Sequence, residues 1–381
     1  MIGPKAGQAI SITVVSFPVG QAFSTPLSNL VNIFCAYAGR VNVVAGCIEN
    51  VDFKIEHENA RMIPVMHKKA SGFLSSVSGF ILTQARLARV MLRLAKDTDI
   101  YVFIGQGPPI MNVLAAKLVG KRILWILPSS LVKTARLQKH TMSLMLAGLL
   151  PACYRLSDRL IVYSDQLVDE WELTPYRNKI SIAYEHYVDP REFRVLTRFP
   201  DRENTIGYVG RLSAEKGILD LLSAIPAIIR GRPDAKFVLV GNGPLQEQVQ
   251  QFIRDNGLEE HVKLVGWVAH QDLPQYYNQM KLLVLPSYTE GLPNVLLEAM
   301  ACGTPVLAAP VGAVPDIVAD RVTGYNLGDH LPDHIAASIL QALGDPGIGQ
   351  VADGGRAFVG KNYVYEATVK KFKDVFDVVA H

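Results

Sequence analysis

The feature of this chain that most constrains its fold is an alternation of short β-branched runs with longer segments of helical periodicity. Such alternation predicts parallel sheets whose two faces are covered by helices. The pattern breaks off near residue 194 and starts again after residue 204, so we expect two doubly wound sheets. The predicted strands are residues 11–16, 41–44, 100–104, 123–126, 159–163 and 180–183 in the first sheet, and 205–209, 236–240, 262–264 and 282–285 in the second.

The length of 381 residues also argues for two domains, because it exceeds what one hydrophobic core usually organises. We expect residues 1–196 to form the first domain and residues 197–360 the second, with a ligand cleft between them. A final helix over residues 364–379 follows the completed second sheet. We therefore expect the segment from about 361 to 381 to pack back onto the first domain.

Composition indicates a folded protein that keeps its thiols reduced. Hydrophobic residues make up 49% of the chain and charged residues 19%, which excludes a disordered chain. The four cysteines form no Cys-x-x-Cys pair, so neither a disulfide framework nor a zinc cluster is indicated. The apolar run at residues 9–19 follows a single positive side chain, Lys5, and is interrupted by Pro18, so we expect a core strand and not a signal peptide. The apolar run at residues 141–153 is shorter than the roughly 20 residues that a membrane-spanning helix needs. A cytoplasmic protein is expected.

Basic residues are concentrated in the first half of the chain. Between residues 61 and 140 there are 13 Lys or Arg against two Asp, although the overall net charge is only +3. This basic stretch runs into apolar residues at 142–150, a combination typical of peripheral contact with an anionic membrane, here its inner face. An ordinary solvated or buried helix remains the alternative. The residues that recur at helical spacing are Arg86, Arg89, Arg93, Lys133, Arg136 and His140.

Three loops of the second half join a strand to a helix through small residues, as phosphate-binding loops do. They begin at Gly210, at Gly241 and at Tyr288, and in a doubly wound sheet all three lie at the carboxyl ends of the strands. The Gly241-Asn-Gly243-Pro sequence has neither the spacing of a dinucleotide-binding loop nor the ending of a P-loop. Nicotinamide and ATP chemistry are therefore disfavoured.

The third loop carries the most information. Pro293 suits a first helical position and Gly303 the position after a helix end, which predicts a helix over residues 293–302. The amides at its start would form a diphosphate cradle next to Glu290 and Gly291. Glu298 would lie on the face of the same helix that points into the cleft, where two carboxylates could accept hydrogen bonds from sugar hydroxyls.

Two cations complete this predicted anion site. Arg211 and Lys216 follow the first strand of the second sheet and would enter the cleft from its loop. Arginine can hold phosphate through two parallel hydrogen bonds, and lysine adds a compact positive charge. Taken alone, each glutamate could equally cap a helix or form a surface pair.

These residues resemble the retaining glycosyltransferases of family 4. The matching stretches are Gly207-Tyr-Val-Gly-Arg-Leu-Ser-Ala-Glu-Lys-Gly217, Val240-Gly-Asn-Gly-Pro-Leu245 and Thr289-Glu-Gly-Leu-Pro-Asn-Val-Leu-Leu-Glu-Ala-Met-Ala-Cys-Gly-Thr-Pro305. Glu290 and Glu298 match the Glu-x7-Glu motif of the family. The resemblance implies the GT-B fold, an α/β architecture of two Rossmann-like doubly wound parallel-sheet domains facing a cleft.

The resemblance also implies how a nucleotide-diphosphate sugar would be bound, with no further cofactor and no metal. Arg211 and Lys216 would hold the diphosphate and, with Glu290 on the transferred sugar, carry catalysis. Glu298 would contact the ribose. The expected acceptor is a hydroxyl group, either lipid-linked or on a growing glycan, and no nucleic acid is expected as partner. The residues expected to line the donor site are Gly210, Arg211, Lys216, Gly241, Gly243, Glu290, Gly291, Leu292, Pro293 and Glu298.

The first half departs from the family pattern, and other functions stay open. The histidine that the family places after a strand of the first domain is missing from residues 127–130, which leaves His140 or His186 as replacements. An Asp97-Thr-Asp99 sequence invites a metal hypothesis, but two carboxylates alone rarely hold a divalent ion. A nucleotide-sugar epimerase, a phosphorylase and a non-catalytic sugar-binding protein remain the alternatives.

Overall fold

A computed structural model describes residues 10–19, 21–48, 57–67, 73–105, 107–130, 132 and 147–380. The chain divides into two compact units, of which the second is Tyr187–Ala367, while the first contains Met1–His186 together with Thr368–His381. Within the described part of the chain, no helix combines the length and the apolar character that crossing a membrane requires.

The first unit is built on a parallel sheet of seven strands in the order β3-β2-β1-β4-β5-β6-β7. The chain runs outward from β1 to one edge, then returns to β4 on the other side of β1, which is the doubly wound pattern. The strands are β1 Ser11–Val19, β2 Arg40–Ile48, β3 Ala60–His67, β4 Ile100–Ile104, β5 Arg122–Ile126, β6 Arg159–Val162 and β7 Ile180–Ile182.

Helices cover this sheet, and the end of the chain packs on one of them. Phe372 and Phe376 of the last helix place their rings edge-on against Phe34, at centroid distances of 5.4 and 5.3 Å. All three rings are fully buried. The helices are α1 Gln21–Cys35, α2 Phe73–Leu94, α3 Ile110–Leu118, α4 Leu150–Leu156, α5 Gln166–Glu170 and, at the end of the chain, α13 Tyr365–Ala380.

The second unit repeats the doubly wound pattern with six parallel strands in the order β10-β9-β8-β11-β12-β13. The strands are β8 Thr205–Val209, β9 Lys236–Val240, β10 Val262–Gly266, β11 Leu282–Leu285, β12 Val306–Ala308 and β13 Tyr325–Asn326. The helices are α6 Ile218–Gly231, α7 Gln246–Asp255, α8 Leu273–Tyr277, α9 Asn294–Ala301, α10 Val314–Ile317, α11 Pro332–Leu343 and α12 Ile348–Asn362.

The core of the second unit follows from the apolar spacing of its helices. Ile218, Leu221, Leu222, Ile225 and Ile228 of α6 recur at helical spacing and are fully buried. Each such side chain contributes about 1.5–3 kcal/mol when it leaves water. The helix is therefore held on the sheet by one apolar face, which leaves the loops at the strand ends free to present polar groups.

The predicted strands 100–104, 205–209, 236–240 and 282–285 are confirmed to the residue. Helical periodicity between the first two strands of the second sheet predicts a helix over residues 215–230, and the predicted start of this helix is wrong. A 3₁₀ turn, Ala214–Lys216, comes first, and α6 begins at Ile218 because Gly217 adopts a left-handed backbone with φ of 66°. Strands β3, β12 and β13 were not predicted.

Gly217 offers a test of how tightly the loop after β8 is packed. A Cβ added there would lie 1.9 Å from the carbonyl oxygen of Pro286, whereas Gly257 has a similar φ of 61° but nothing within 4 Å of that position. We expect Gly257→Ala to lower the free energy of unfolding by roughly 1 kcal/mol, the cost of the left-handed backbone alone. Gly217→Ala adds a backbone overlap and should cost at least twice as much, as measured by urea denaturation. Equal costs would contradict this packing.

Candidate functional site

The candidate site lies at the carboxyl edge of the second sheet, where the strand order changes direction. Strands β8 and β11 are neighbours in the sheet. From β8 the chain continues to β9 on one side, and from β11 it continues to β12 on the other side. In doubly wound sheets this switch point is where ligands bind. Lys216 comes from the loop after β8 and Glu290 from the loop after β11. The topology therefore brings together two residues that are 74 positions apart.

Lys216 and Glu290 form an ion pair at this point. The Lys216 ammonium donates to Oε1 of Glu290 over 2.7 Å. The side chain of Glu290 is 7% exposed and that of Lys216 is 25% exposed, so the pair is largely shielded from water and stronger than a surface pair. The backbone beneath it is closely packed, because a Cβ at Gly312 would lie 2.2 Å from the carbonyl oxygen of Glu290.

A cavity opens beside this pair and receives the start of α9. Of the residues predicted to bind a donor, Gly210, Lys216, Glu290, Leu292 and Pro293 line it. Other predicted residues, all of them described, lie outside its lining. The remaining lining residues are Val209, Leu285, Asn294 and Val295, and the predicted residues outside are Arg211, Gly241, Gly243, Gly291 and Glu298.

Helix α9 supplies the anion-binding end of this cavity. It begins at Asn294, so Pro293 is its N-cap and not its first residue as predicted, and it ends at Ala301. Proline has no amide hydrogen, and the donors are therefore its neighbours. The amides of Asn294 and Val295, in the first turn, have no acceptor within the helix. Because Asn294 and Val295 line the cavity, the positive end of the helix dipole lies at the cavity.

The glycines of the loop after β9, Gly241 and Gly243, allow close backbone packing against the loop after β8. Leu212 N donates to Asn242 O over 2.8 Å, and Leu245 N donates to Leu212 O over 3.0 Å. A Cβ at Gly241 would lie 1.9 Å from Gly210 O, and one at Gly243 would lie 2.4 Å from Leu212 O. Glycine is thus required for the two loops to touch, and ligand contact at Gly241 and Gly243 stays a prediction.

Arg211 takes no part in the Lys216–Glu290 pair and does not line the cavity. Its guanidinium forms an ion pair with Glu215, and its side chain is 55% exposed. Its carbonyl oxygen accepts a 2.8 Å hydrogen bond from the Tyr208 hydroxyl, which fixes the backbone of the loop. A phosphate would have to draw the guanidinium away from Glu215.

Glu298 lies in α9, nearly buried, with both carboxylate oxygens engaged. Oε2 accepts a 2.7 Å hydrogen bond from the Tyr277 hydroxyl, and Oε1 is 2.8 Å from His270 Nε2. The hydrogen bond with Glu298 raises the pKa of His270 above its ordinary value. Burial, together with the charge of Glu298, raises the pKa of Tyr277 well above its ordinary range. The hydroxyl therefore remains a donor to the carboxylate.

A buried arginine holds the elements that carry Glu298. Arg202 is 5% exposed, and its guanidinium donates to Cys302 O at the end of α9 over 2.7 Å and to Thr304 Oγ1 over 2.8 Å. It also donates to Met280 O over 3.1 Å, just after the segment of Tyr277. Nothing in the local sequence around Arg202, Tyr277 or His270 indicates these contacts, because their partners lie far along the chain.

Other candidates from the sequence lie elsewhere. Asp99 accepts a hydrogen bond from Ser11 N over 2.9 Å, and Asp97 is 3.5 Å from Arg40. His186 is buried in the first unit. His140, Lys133, Arg136 and Lys139 lie outside the described residues.

Residues 189–356 match the family model described as "Glycosyl transferases group 1". An uncharacterized glycosyltransferase of Methanocaldococcus jannaschii is 30% identical over 207 residues, which make up 54% of this chain and 52% of the relative. A GDP-mannose-dependent alpha-(1-6)-phosphatidylinositol monomannoside mannosyltransferase of Mycolicibacterium smegmatis is 34% identical over 145 residues, 36% of this chain and 38% of the relative. The similarity thus spans about half or less of each curated relative.

Similarity to a solved structure extends over almost the whole chain. HepE of Anabaena, crystallised in complex with UDP, superposes with a TM-score of 0.77 at 19% identity, covering 97% of this chain and 100% of that one. At this level of identity the likeness shows the fold. The predicted GT-B architecture of two Rossmann-like units, each with a doubly wound parallel sheet, is therefore confirmed.

The hydrogen-bond network of Arg202 can be tested by removing its guanidinium. Arg202→Met leaves several buried carbonyl oxygens without donors, each at a cost of about 1–3 kcal/mol. We expect the free energy of unfolding to fall by roughly 3 kcal/mol or more in denaturant titrations. Arg198→Met is the matched control, because Arg198 is exposed and pairs with Asp201 on the surface. Its expected cost is within about 1 kcal/mol. Similar losses in both variants would contradict the role of Arg202.

Proposed function

We propose that this chain, whose residues 189–356 match the family model of glycosyl transferases group 1, is a retaining glycosyltransferase. It moves a sugar from a nucleotide-diphosphate donor to a hydroxyl group of an acceptor. The observation that carries this proposal is the Lys216–Glu290 pair at the switch point of the second sheet, beside the start of α9. A cation and helix-end amides suit a diphosphate, and a carboxylate suits sugar hydroxyls.

The class of donor is supported by the relatives. HepE was crystallised with UDP, and the mycobacterial relative is named for its dependence on GDP-mannose. Both ligands contain a nucleoside diphosphate, but they differ in the base. The donor is therefore a nucleotide-diphosphate sugar that the second unit binds, and the first unit binds the acceptor.

The cations of the site would stabilise the leaving group. As the bond to the sugar breaks, negative charge accumulates on the departing diphosphate, and the anomeric carbon becomes cationic. Lys216 lines the cavity, and Arg211, which pairs with Glu215 outside the lining, would turn from Glu215 to the phosphate. Together the two cations would neutralise this charge without a metal ion. The amides of Asn294 and Val295 add to the same field.

Retention follows if the acceptor attacks from the face that the diphosphate leaves. The departing phosphate then accepts the proton of the acceptor hydroxyl, the new glycosidic bond forms and the bond to the diphosphate breaks. No side chain is needed as a nucleophile. Glu290 holds a hydroxyl of the transferred sugar, and Glu298 holds the ribose.

Other enzyme classes differ from this proposal in a measurable way. An epimerase would convert a nucleotide sugar without any acceptor, whereas a transferase depends on one. A non-catalytic sugar-binding protein would neither transfer the sugar nor slowly hydrolyse the donor. The matching family model favours transfer.

The acceptor is proposed to be lipid-linked, with the chain contacting the inner face of an anionic membrane from the cytoplasm. Arg86, Arg89 and Arg93 of α2 are exposed, and on the same helix Leu82 and Leu92 are 51% and 48% exposed. A basic helix with exposed leucines is suited to anionic headgroups and the outer part of the acyl region.

Removing the cations of the site should slow transfer. Lys216→Met and Arg211→Met each delete one preorganised charge from the leaving group, and we expect kcat to fall by roughly a hundredfold or more. The measurement is sugar transfer from a nucleotide sugar under saturating donor. Lys236→Met is the control, because Lys236 lies at the amino end of β9, at the opposite edge of the sheet. Unchanged turnover in both site variants would contradict the assignment.

Reversing the charge of α2 should weaken membrane binding. We expect Arg89→Glu with Arg93→Glu to lower cosedimentation with vesicles containing phosphatidylglycerol by roughly tenfold or more, since each basic residue near an anionic surface contributes about 1 kcal/mol. The control pair is Arg230→Glu with Arg254→Glu, which changes the net charge equally on helices of the second unit. Equal vesicle binding by the wild type, the α2 variant and the control variant would rule out α2 as the membrane contact.

A further inference from the structure

The surroundings of Glu298 point to a residue that the family motif does not include. Glu298 is 5% exposed and lies in the middle of α9. A buried carboxylate is costly unless donors satisfy it. Two donors reach it from other elements: Tyr277, the last residue of α8, and His270, in the short turn after β10. Three separate elements thus meet at one carboxylate.

His270 is the exposed member of this group. Its side chain is 54% exposed, against 7% for that of Glu298. The ring of Phe193 packs against its imidazole at a centroid distance of 5.1 Å, and the same phenylalanine lies 6.3 Å from the Tyr277 ring. The imidazole is therefore held in place by packing as well as by its hydrogen bond.

The two donors occupy different oxygens of the carboxylate. His270 engages Oε1 and Tyr277 engages Oε2. An ionised carboxylate offers about four lone-pair positions, so each oxygen keeps one position for another donor. One remaining position on each oxygen would suit a pair of adjacent hydroxyl groups. The donors also fix the rotation of the carboxylate, which otherwise would be set only on binding.

We propose that His270 is a positioning residue that, together with Tyr277, holds Glu298 as a two-oxygen acceptor for the adjacent hydroxyl groups of the donor ribose. This inference rests on the proposed function, in which the second unit binds a nucleotide-diphosphate sugar. His270 does not touch the reacting atoms. It acts through Glu298, and its effect is confined to ligands that carry the ribose hydroxyls.

The protonation of His270 adds a dependence on pH. Besides Glu298, the carboxylate of Glu192 favours the protonated imidazole, whereas burial opposes it. Asp272 lies in the same turn, and the thiol of Cys302 lies near Glu298. The net effect raises the pKa of His270, so the imidazolium is present at low pH and is lost as the pH rises through this raised value. A charged donor makes the stronger hydrogen bond to a carboxylate, and nucleotide affinity should decline over that interval.

The test is a comparison of ribose and deoxyribose ligands. Binding of UDP and of GDP, and of their 2′,3′-dideoxy counterparts, is measured by calorimetry from pH 6 to pH 8.5 on the full chain. We expect His270→Ala to weaken binding of the ribonucleotide about tenfold, the worth of a hydrogen bond to a charged group, and to leave the dideoxy counterpart unchanged. Tyr277→Phe, which keeps the ring, should behave in the same way.

A conservative variant and a matched control separate positioning from general damage. His270→Gln keeps a donor but cannot titrate, so it should restore part of the affinity while losing the pH dependence relative to the wild type. Phosphate titration of the nucleotide is common to both proteins and cancels in their ratio. His334→Gln is the control, because His334 also faces a carboxylate, Asp329, at 2.5 Å on an exposed surface. It should leave every affinity unchanged.

Each outcome decides between the proposals. Equal losses for ribose and dideoxy ligands in His270→Ala, or no loss at all, would overturn the role of His270 and leave the proposed function standing. Failure of the wild-type chain to bind UDP or GDP, and also ADP or CDP measured in the same way, would contradict the proposed function and overturn this inference with it. Selective loss of ribose recognition, with partial rescue by His270→Gln, would support it.

Discussion

The structure of the candidate site depends on close backbone packing around Glu290. The loop after β11 passes so near its neighbours that side chains are excluded at two points, Gly217 beside Pro286 O and Gly312 beside Glu290 O. Both glycines adopt the left-handed backbone conformation, which residues with a Cβ atom rarely adopt. These close contacts bring the Lys216 ammonium to the Glu290 carboxylate over 2.7 Å. The carboxylate, the cation and the start of α9 are thereby placed before any ligand arrives, which is the preorganisation that charge stabilisation needs.

Charge in the second unit is arranged by depth. Arg211 is exposed and paired with Glu215, so it can exchange partners at little cost. Lys216 and Glu290 are largely shielded, and Glu298 is nearly buried with two donors of its own. Beneath them Arg202 satisfies carbonyl groups at the end of α9. The exposed cation therefore has a single carboxylate partner, whereas the buried groups are held by several hydrogen bonds.

Much of the fold could be predicted because strands at the centre of a parallel sheet are short, apolar and buried on both faces. Strands β8, β9 and β11 have this character and were predicted to the residue. Strand β3 was missed because it lies at a sheet edge, has one buried residue among its eight and contains Pro64. Strands β12 and β13 have only three and two residues, too few for any periodicity to be visible.

The sequence alone determined the doubly wound architecture and the motif residues Lys216, Glu290 and Glu298, because local periodicity and motif spacing depend on neighbours along the chain. Only the tertiary structure decided which of them share a cavity, where α9 begins, and which residues hold Glu298. His270 and Arg202 carry no local signal of their roles. The partner of His270 is 28 positions away, and the acceptors of Arg202 lie up to 102 positions away. Contacts over such separations are set by how strands and helices pack, and no pattern within a short window encodes them.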